Sequence, residues 1–180
     1  MIGDKNKKIK GVTLIEILVA LSIFSIVTTG AVSLFSSLIK TQKNLLDKAY
    51  VLNTLSYSIE YTSKALRMAQ KDMVGTCIGV GKNFVLTGAS NIKFLNSKNE
   101  CQEIFLESGA LKVRKRGIAQ SLTPSNVIVE NVIFVLSGEG QEDNLQSRVS
   151  FSLKAKSVNK AVSPFLIQTT ISQRMLDVFY

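Results

Sequence analysis

The sequence predicts an α+β fold in which one long N-terminal helix packs on an antiparallel β-sheet. No charged residue occurs between Ile17 and Ile39, apolar residues recur at intervals of seven from residue 45 to residue 73, and short alternating segments fill residues 73–180. An unbroken apolar run is typical of a membrane segment. A regular apolar stripe is typical of one face of a helix, and alternation of apolar and polar residues is typical of strands. We therefore expect the helix to span a membrane in its lower half and to be amphipathic in its upper half.

Residues 1–11 form a short polar leader that is rich in lysine. Its four lysines outnumber its one acidic residue, Asp4, so the leader holds a third of the chain's net charge of +9. Lys and Arg are retained on the cytoplasmic side of a membrane. The sequence therefore predicts a single-pass protein of the cytoplasmic (inner) membrane, with the N-terminus inside and the C-terminal domain outside.

The apolar run that follows the leader is long enough to span a bilayer. It comprises 23 residues, from Ile17 to Ile39, and roughly 20 are enough to cross the hydrocarbon core as a helix. A secretory signal peptide is the other interpretation, but its apolar core usually has about 7 to 15 residues and precedes a small-residue cleavage site. Glu16 lies at the lipid boundary, where a carboxylate costs ~2.5 kcal/mol or more, so we interpret it as functional.

Four small hydroxyl residues recur every fourth position inside the apolar run: Ser25, Thr29, Ser33 and Ser37. Small residues at this spacing let membrane helices approach closely, and their hydroxyls can bond across the contact. Alternatively, each hydroxyl bonds to its own preceding turn. The sequence leaves both interpretations open.

Beyond the apolar run, residues 40–72 are predicted to continue the helix as an amphipathic segment that ends at Asp72. The apolar stripe of this segment consists of residues spaced by seven and two neighbours on the same face: Leu45, Leu52, Ile59, Leu66 and Met73, with Leu55 and Ala69. Such a stripe is expected to pack on a domain formed by residues 73–180.

That domain is predicted to be an antiparallel sheet of short strands. The clearest strand runs from Arg148 to Ala155, where apolar and polar residues alternate. Pro124 and Pro164 fall at proposed strand starts, where a missing N–H is tolerated. The other predicted strands are the segments CIGV, NFVLT, NIKFLN, QEIFLES, ALKVRK, NVIVENVIFVL and SPFLIQTTISQR.

The composition argues against an enzyme. The chain has no histidine and two cysteines, which excludes a Ser-His or Cys-His nucleophile pair and an imidazole metal site, and two cysteines alone do not make a zinc site. We expect no catalytic residue, metal or cofactor. Cys77 and Cys101 are predicted to form a disulfide if the domain lies outside the membrane, and the alternative is a pair of reduced core cysteines.

Two charged clusters are candidate binding sites. Lys112, Arg114, Lys115 and Arg116 could contact DNA phosphates, but an exposed hairpin with solvated charge is the favoured interpretation. A Gly-rich segment carries the acidic residues Glu139, Glu142 and Asp143. Calcium needs more oxygen ligands than this loop clearly supplies, so a calcium site is not expected.

The segment GVTLIEILVALSIFSIV, residues 11–27, resembles the N-terminus of type IV prepilins and of the pseudopilins of type II secretion. The resemblance implies a pilin-like fold, cleavage between Gly11 and Val12 by a prepilin peptidase, and methylation of the new Val12 amine. Glu16 is then the fifth residue of the processed chain. Val12 departs from the phenylalanine that is usual at the first position, and the helix lacks the proline of many major pilins, so a minor pilin or minor pseudopilin is implied.

The same resemblance suggests a partner for Glu16. Cleavage creates an ammonium at Val12, one helical turn away from Glu16 or, with an axial stagger, within reach of Glu16 of a neighbouring subunit. The alternative is that Glu16 stabilises the helix N-terminus through the helix dipole.

The predicted function is therefore that of a pilin or pseudopilin precursor that assembles into a filament through its helix. Its partners are prepilin peptidase, other pilin or pseudopilin subunits, and membrane lipid before assembly, with DNA only weakly supported. The predicted divisions are a cleaved leader (1–11), a membrane and assembly helix (12–39), an amphipathic helix (40–72) and a β-rich domain (73–180). The alternative is a membrane-anchored binding module that does not polymerise.

Overall fold

The computed structural model describes residues 11–139, 146–158 and 163–174. Its first element is the helix α1 (Leu14–Arg67), and eight strands follow. The chain divides into two compact units, with the division inside α1 between residues 43 and 44. Each unit is described by itself.

The first unit contains the apolar part of α1. Its side chains are almost all exposed, including large apolar residues such as Leu14, Phe24 and Phe35. Among the described residues, α1 is the one helix that is long and apolar enough to cross a membrane, and its apolar window is not buried within the protein. This segment therefore has an apolar surface that needs lipid or another protein to cover it.

In the second unit, α1 packs one face on the β-strands. Its buried residues follow the spacing of a helix face and are Val51, Leu55, Ser58, Thr62 and Leu66, followed by Ala69 just after the helix. The predicted stripe is confirmed at Leu55, Leu66 and Ala69. It is wrong at Leu45, Leu52 and Met73, which are 58%, 39% and 64% exposed, because the buried face turns to include the small polar residues Ser58 and Thr62.

The helix ends at Arg67, five residues before the predicted end at Asp72. The chain leaves the helix because its backbone pairs elsewhere: Gln70 N donates to Leu95 O at 2.9 Å, and Asp72 N donates to Lys82 O at 2.9 Å. These bonds replace the hydrogen bonds that a further helical turn would have made.

The first sheet is five-stranded and wholly antiparallel, in the order of the chain. Its strands are β1 (Phe84–Gly88), β2 (Asn91–Leu95), β3 (Cys101–Glu107), β4 (Ala110–Lys115) and β5 (Ile118–Ser121). Two-residue turns with positive φ at both positions, Ser108-Gly109 and Arg116-Gly117, connect the last three strands. This geometry is that of a type I′ hairpin turn, whose twist matches that of the flanking strands.

The second sheet is three-stranded and antiparallel, in the order β6 (Val127–Ser137), β7 (Arg148–Ser157) and β8 (Phe165–Ser172). The alternation predicted for residues 148–155 is confirmed, since Val149, Phe151, Leu153 and Ala155 are all buried. Pro164 comes directly before β8, as expected for a strand start.

The two sheets join along β6. Val129 N donates to Gly109 O at 2.8 Å, and Phe134 N donates to Ala89 O at 2.9 Å, so β6 bonds to two hairpin turns of the first sheet. One hydrophobic core results, formed by the buried face of α1 and the inner faces of both sheets; it includes Leu55, Leu66, Phe84, Ile92, Phe94, Ile104, Val113, Val132, Phe134, Phe151 and Leu153.

The α+β prediction is confirmed, with three corrections to its details. The structure has two antiparallel sheets where the sequence predicted one. The segment CIGV, residues 77–80, is a loop because its backbone N–H groups turn toward the Asp72 carboxylate. The strand β5 was not predicted, because its four residues are all exposed and have no apolar alternation.

Candidate cleavage and assembly segment

The predicted cleavage site lies directly before the helix. Residues 11–13 are not helical, and Gly11, Val12 and Thr13 are all exposed. A Cβ built on Gly11 would meet nothing within 4 Å, and its φ is outside the left-handed region. Nothing in the described fold therefore requires glycine at position 11, so a requirement for it would come from an enzyme that acts on this bond.

The helix begins with a tight first turn around Thr13. The carbonyl of Thr13 accepts from the N–H groups of Glu16 at 3.1 Å and Ile17 at 3.3 Å. Thr13 and Glu16 have the spacing of a capping box, in which each side chain bonds to the other residue's backbone N–H. Neither side chain makes such a bond to any described residue. The Glu16 carboxylate is thus not occupied by capping hydrogen bonds.

Glu16 is surrounded on the helix surface by apolar side chains. Ile15, Val19, Ala20 and Ile23 line a shallow open depression with it. In the uncut chain, position 12 offers a peptide nitrogen, which carries no charge. An ammonium exists at this position only after the Gly11–Val12 bond is cut, so a charge partner from Val12 depends on processing.

The hydroxyls of the apolar segment bond to their own helix where the structure gives their contacts. Ser25 Oγ donates to Leu21 O at 2.8 Å, and Thr29 Oγ1 donates to Ser25 O at 2.7 Å. Ser22 and Thr28 bond one turn back in the same way. Ser33 and Ser37 are exposed on the helix surface. The hydroxyls of Ser22, Ser25, Thr28 and Thr29 are therefore satisfied without a neighbouring helix.

The loop after α1 is held by a buried carboxylate. Asp72 is 1% exposed, and its two oxygens accept from the backbone N–H groups of residues 74–78, with the shortest bonds to Gly75 at 2.6 Å and Cys77 at 2.8 Å. Hydrogen bonds from the N–H groups stabilise the charged carboxylate, and the largest effect comes from Ile78, with further contributions from Cys77, Gly75 and Thr76. Together they outweigh the effect of burial and lower the pKa of Asp72 to about 2.

The same loop carries the two cysteines. Cys77 and Cys101 are joined in the structure by a disulfide, with their Cα atoms 5.3 Å apart. The bond ties the loop after α1 to the first residue of β3. Sequence reasoning placed Asp72 at the end of the helix and missed its role, although an aspartate followed three residues later by glycine is a turn signal.

The basic cluster of β4 and the following turn is largely paired. Lys112 Nζ lies 2.7 Å from Glu107 Oε2, Arg114 Nη1 lies 2.5 Å from Glu103 Oε2, and Arg116 pairs with Glu100. The Arg114 guanidinium also lies over the Phe105 ring, and Lys115 lies over the Tyr61 ring. Three glutamates offset most of this charge, which favours the solvated hairpin over a DNA site.

The acidic group is described by the structure only in part. Glu139 is exposed, and Glu142 and Asp143 lie outside the described residues. Within residues 11–139, 146–158 and 163–174, no group of three or more His, Cys, Asp or Glu side chains is placed to hold a metal ion.

Comparison with known proteins gives one match, and it falls on the N-terminal segment. Residues 6–32 match the family model described as the prokaryotic N-terminal methylation motif. No curated protein and no solved structure matches the chain. The match confirms the resemblance of this segment to the N-terminus of prepilins and pseudopilins.

Proposed function

We propose that this chain is the precursor of a minor pilin or minor pseudopilin that a prepilin peptidase cuts between Gly11 and Val12. The same peptidase methylates the Val12 amine. The leader lies in the cytoplasm, α1 crosses the inner membrane, and the β-rich domain lies outside. The observation that carries the proposal is the methylation motif on residues 6–32, directly before an apolar helix surface that the protein itself does not cover.

Assembly replaces lipid around residues 12–39 by the helices of other pilin or pseudopilin subunits. The absence of a proline from residues 12–39 and the valine at the first processed position support a minor subunit. Minor subunits of this kind prime assembly or occupy the filament end. The Ser25, Thr29, Ser33 and Ser37 positions allow close helix approach on one face.

Glu16 supplies the register of this assembly. After processing, the Val12 ammonium and the Glu16 carboxylate of the same or a neighbouring subunit form an ion pair in a medium of low dielectric constant. Support comes from the Glu16 side chain, which has no hydrogen bond or ion pair to another described residue and is flanked by Ile15, Val19 and Ile23. A pair of opposite charges at this depth is far less costly than either charge alone.

The first experiment measures the N-terminal mass of the protein from membranes, with and without a co-expressed prepilin peptidase. We expect a chain that begins at Val12, with or without one added methyl, only when the peptidase is present. A Gly11→Ala variant keeps the fold because position 11 has open space, and we expect it to be cut poorly. An intact Met1 in the presence of active peptidase would refute processing.

The second experiment tests Glu16 against matched variants. Glu16→Gln keeps the shape of the side chain without its charge, so we expect this variant to stay in the membrane but fail to enter filaments. Glu16→Asp keeps the charge, so we expect it to retain part of the incorporation into filaments. Ser22→Ala, in the same segment, is the control. Normal incorporation of Glu16→Gln rules out the charge pair.

The rival proposal is a membrane-anchored binding module that does not polymerise. The bonds from Ser25 and Thr29 to their own helix are compatible with it, since they let the segment reside in lipid without a partner helix. A plain anchor gains nothing from Glu16, so Glu16→Leu would then insert as well as or better than the natural chain. The same set of variants therefore separates the two proposals.

A further inference from the structure

A groove of about 610 Å³ lies between the last turns of α1 and the inner face of the first sheet. One wall is formed by the α1 residues at positions 61, 64 and 65, which share a face, and by Met68 directly after the helix. The other wall is a row across three strands, in which Gln102 of β3 lies opposite Lys115 of β4, and Lys115 opposite Ile118 of β5. The groove has the size of a ligand-binding cleft.

The groove exists because α1 does not cover the far edge of the sheet. Val113 is buried under the helix, but Ile118, on the same face of the neighbouring strand, is 67% exposed. Met68 is partly exposed on the opposite wall. The groove therefore has apolar surface on both walls, open to solvent.

A side chain that lines this groove carries a buried donor without an acceptor. Gln102 is 2% exposed and lines the groove, and its Nε2 has no hydrogen-bond acceptor among the described residues. A buried amide N–H is normally paired, because leaving it unpaired forfeits the bonds it made with water.

The orientation of this amide is fixed by its neighbour. Asn96 Oδ1 accepts from the backbone N–H groups of Lys98 at 2.9 Å and Glu100 at 3.0 Å, so Asn96 Nδ2 must point the other way. There it donates to Gln102 Oε1 at 3.4 Å. Rotating the Gln102 amide would set two donors against each other, which leaves Nε2 as the unpaired group.

The charges around the donor are positive. Lys64, Lys98 and Lys115 line the groove, and none of the three makes an ion pair with a described residue. The one carboxylate of the lining, that of Glu100, is already paired with Arg116. An unpaired N–H donor beside three lysines that form no ion pair with a described residue is complementary to an anionic acceptor.

We propose that this groove is a docking site for a short extended peptide segment of a partner protein that carries an acidic side chain next to apolar ones. The carboxylate accepts from Gln102 Nε2 between Lys64, Lys98 and Lys115, and the apolar neighbours contact Ile118 and Met68. The exposed apolar walls favour a peptide over a nucleic-acid strand, whose phosphates would leave Ile118 uncovered. The site does not depend on whether the chain enters a filament.

The test uses the full chain in detergent micelles and two probe peptides, acetyl-Ala-Leu-Asp-Leu-Ala-amide and its Asn counterpart. NMR follows the side-chain amide signals of Gln102 while peptide is added to about 1 mM. We expect the Asp peptide to shift these signals and to bind at least about tenfold more tightly than the Asn peptide, because only the carboxylate attracts the lysines.

Variants locate the binding. Lys64→Ala and Gln102→Leu are each expected to weaken the Asp peptide at least about fivefold, whereas Lys154→Ala, an exposed lysine of the second sheet, leaves it unchanged. Gln102→Leu is also expected to raise the midpoint of thermal unfolding, since it removes an unpaired buried donor while Asn96 Nδ2 keeps Glu100 Oε2 as an acceptor at 3.4 Å. A variant that is more stable and binds less well cannot be explained by misfolding.

Three results would overturn the proposal. Equal affinity for the two peptides would show that the carboxylate is not recognised, and no binding of either at the highest concentration would exclude the site. Inorganic phosphate or a single-stranded oligonucleotide that shifts Gln102 as strongly as the Asp peptide, with the same dependence on Lys64, would assign the groove to phosphates instead.

Discussion

Asp72 Oδ2 accepts a hydrogen bond of 2.8 Å from the backbone N–H of Cys77, the residue that the disulfide joins to Cys101. The carboxylate and the covalent bond thus hold the same point of the chain, just after α1. The loop between Asp72 and Lys82 is closed as well by backbone bonds at its two ends. The hydrogen bonds to Asp72 and the disulfide stabilise this loop, which is too short to have a hydrophobic core of its own.

The first prediction concerns the pH dependence of stability. Because the folded pKa of Asp72 is about 2 and its ordinary value is 3.8, its contribution is complete above pH 4 and is lost as the pH falls toward 2. Asp72→Asn should lower the free energy of unfolding at pH 7 and flatten its decline between pH 4 and pH 2. Denaturant titrations of both proteins across this range measure the effect.

Glu60→Gln is the control for Asp72→Asn, because it removes an exposed carboxylate from α1. We expect the control to unfold like the natural chain at every pH. If Asp72→Asn retained the full acid dependence of the natural chain, the carboxylate would not be responsible for it.

The second prediction concerns the disulfide. The two cysteines are 24 residues apart, and closing a loop of this length stabilises the fold by about 3 kcal/mol in the chain-entropy model. The double variant Cys77→Ser/Cys101→Ser should lose about this much free energy of unfolding in denaturant titrations. Alkylation of membranes before reduction should leave both cysteines of the natural chain unlabelled; labelling of both would favour the reduced pair.

The third prediction concerns the hairpin turn between β3 and β4. Ser108 has φ of 52° and precedes Gly109 with φ of 72°, and Asn tolerates the left-handed region better than Ser does. Ser108→Asn should raise the free energy of unfolding by roughly 0.5 kcal/mol. Gly109→Ala should lower it by roughly 1 kcal/mol through backbone strain, since the added Cβ has ordinary contact distances.

The fourth prediction applies one substitution at two buried threonines. Thr62 Oγ1 has no hydrogen-bond partner among the described residues, so Thr62→Val should stabilise the protein by about 1 kcal/mol. Thr123 Oγ1 accepts from Leu111 N at 3.1 Å, so Thr123→Val should destabilise it by about 1–3 kcal/mol. Thermal unfolding of both variants measures the two signs, and the same sign at both positions would contradict the hydrogen-bond argument.

Local patterns predicted most of the elements. Alternation identified β7, and the segments assigned to β1–β4, β6 and β8 fall on observed strands. The strand β5 was not predicted because its residues are exposed on both faces, so it lacks the alternation of apolar and polar residues that a half-buried strand shows. The division into two sheets depends on where β6 bonds, which is a long-range property that no local pattern contains.

The helix illustrates a second limit. A stripe of apolar residues indicates a face, but the buried face is the one that fits the strands, and it carries Ser58 and Thr62 in place of Leu45 and Met73. The unpaired amide donor of Gln102 likewise could not be predicted from the sequence, because it results from the hydrogen bonds that Asn96 makes in the folded protein. The N-terminal segment was recognisable because its signal is compact and contiguous.

The hydroxyls of the apolar segment bond to their own helix, so their hydrogen bonding does not depend on what surrounds the helix. Ser22, Ser25, Thr28 and Thr29 keep their hydrogen bonds whether lipid tails or another protein lie beside them. Exchange of one surrounding for the other therefore breaks no hydrogen bond at these positions. Any preference for one environment over the other must then come from the packing of the apolar side chains and from residues other than these four.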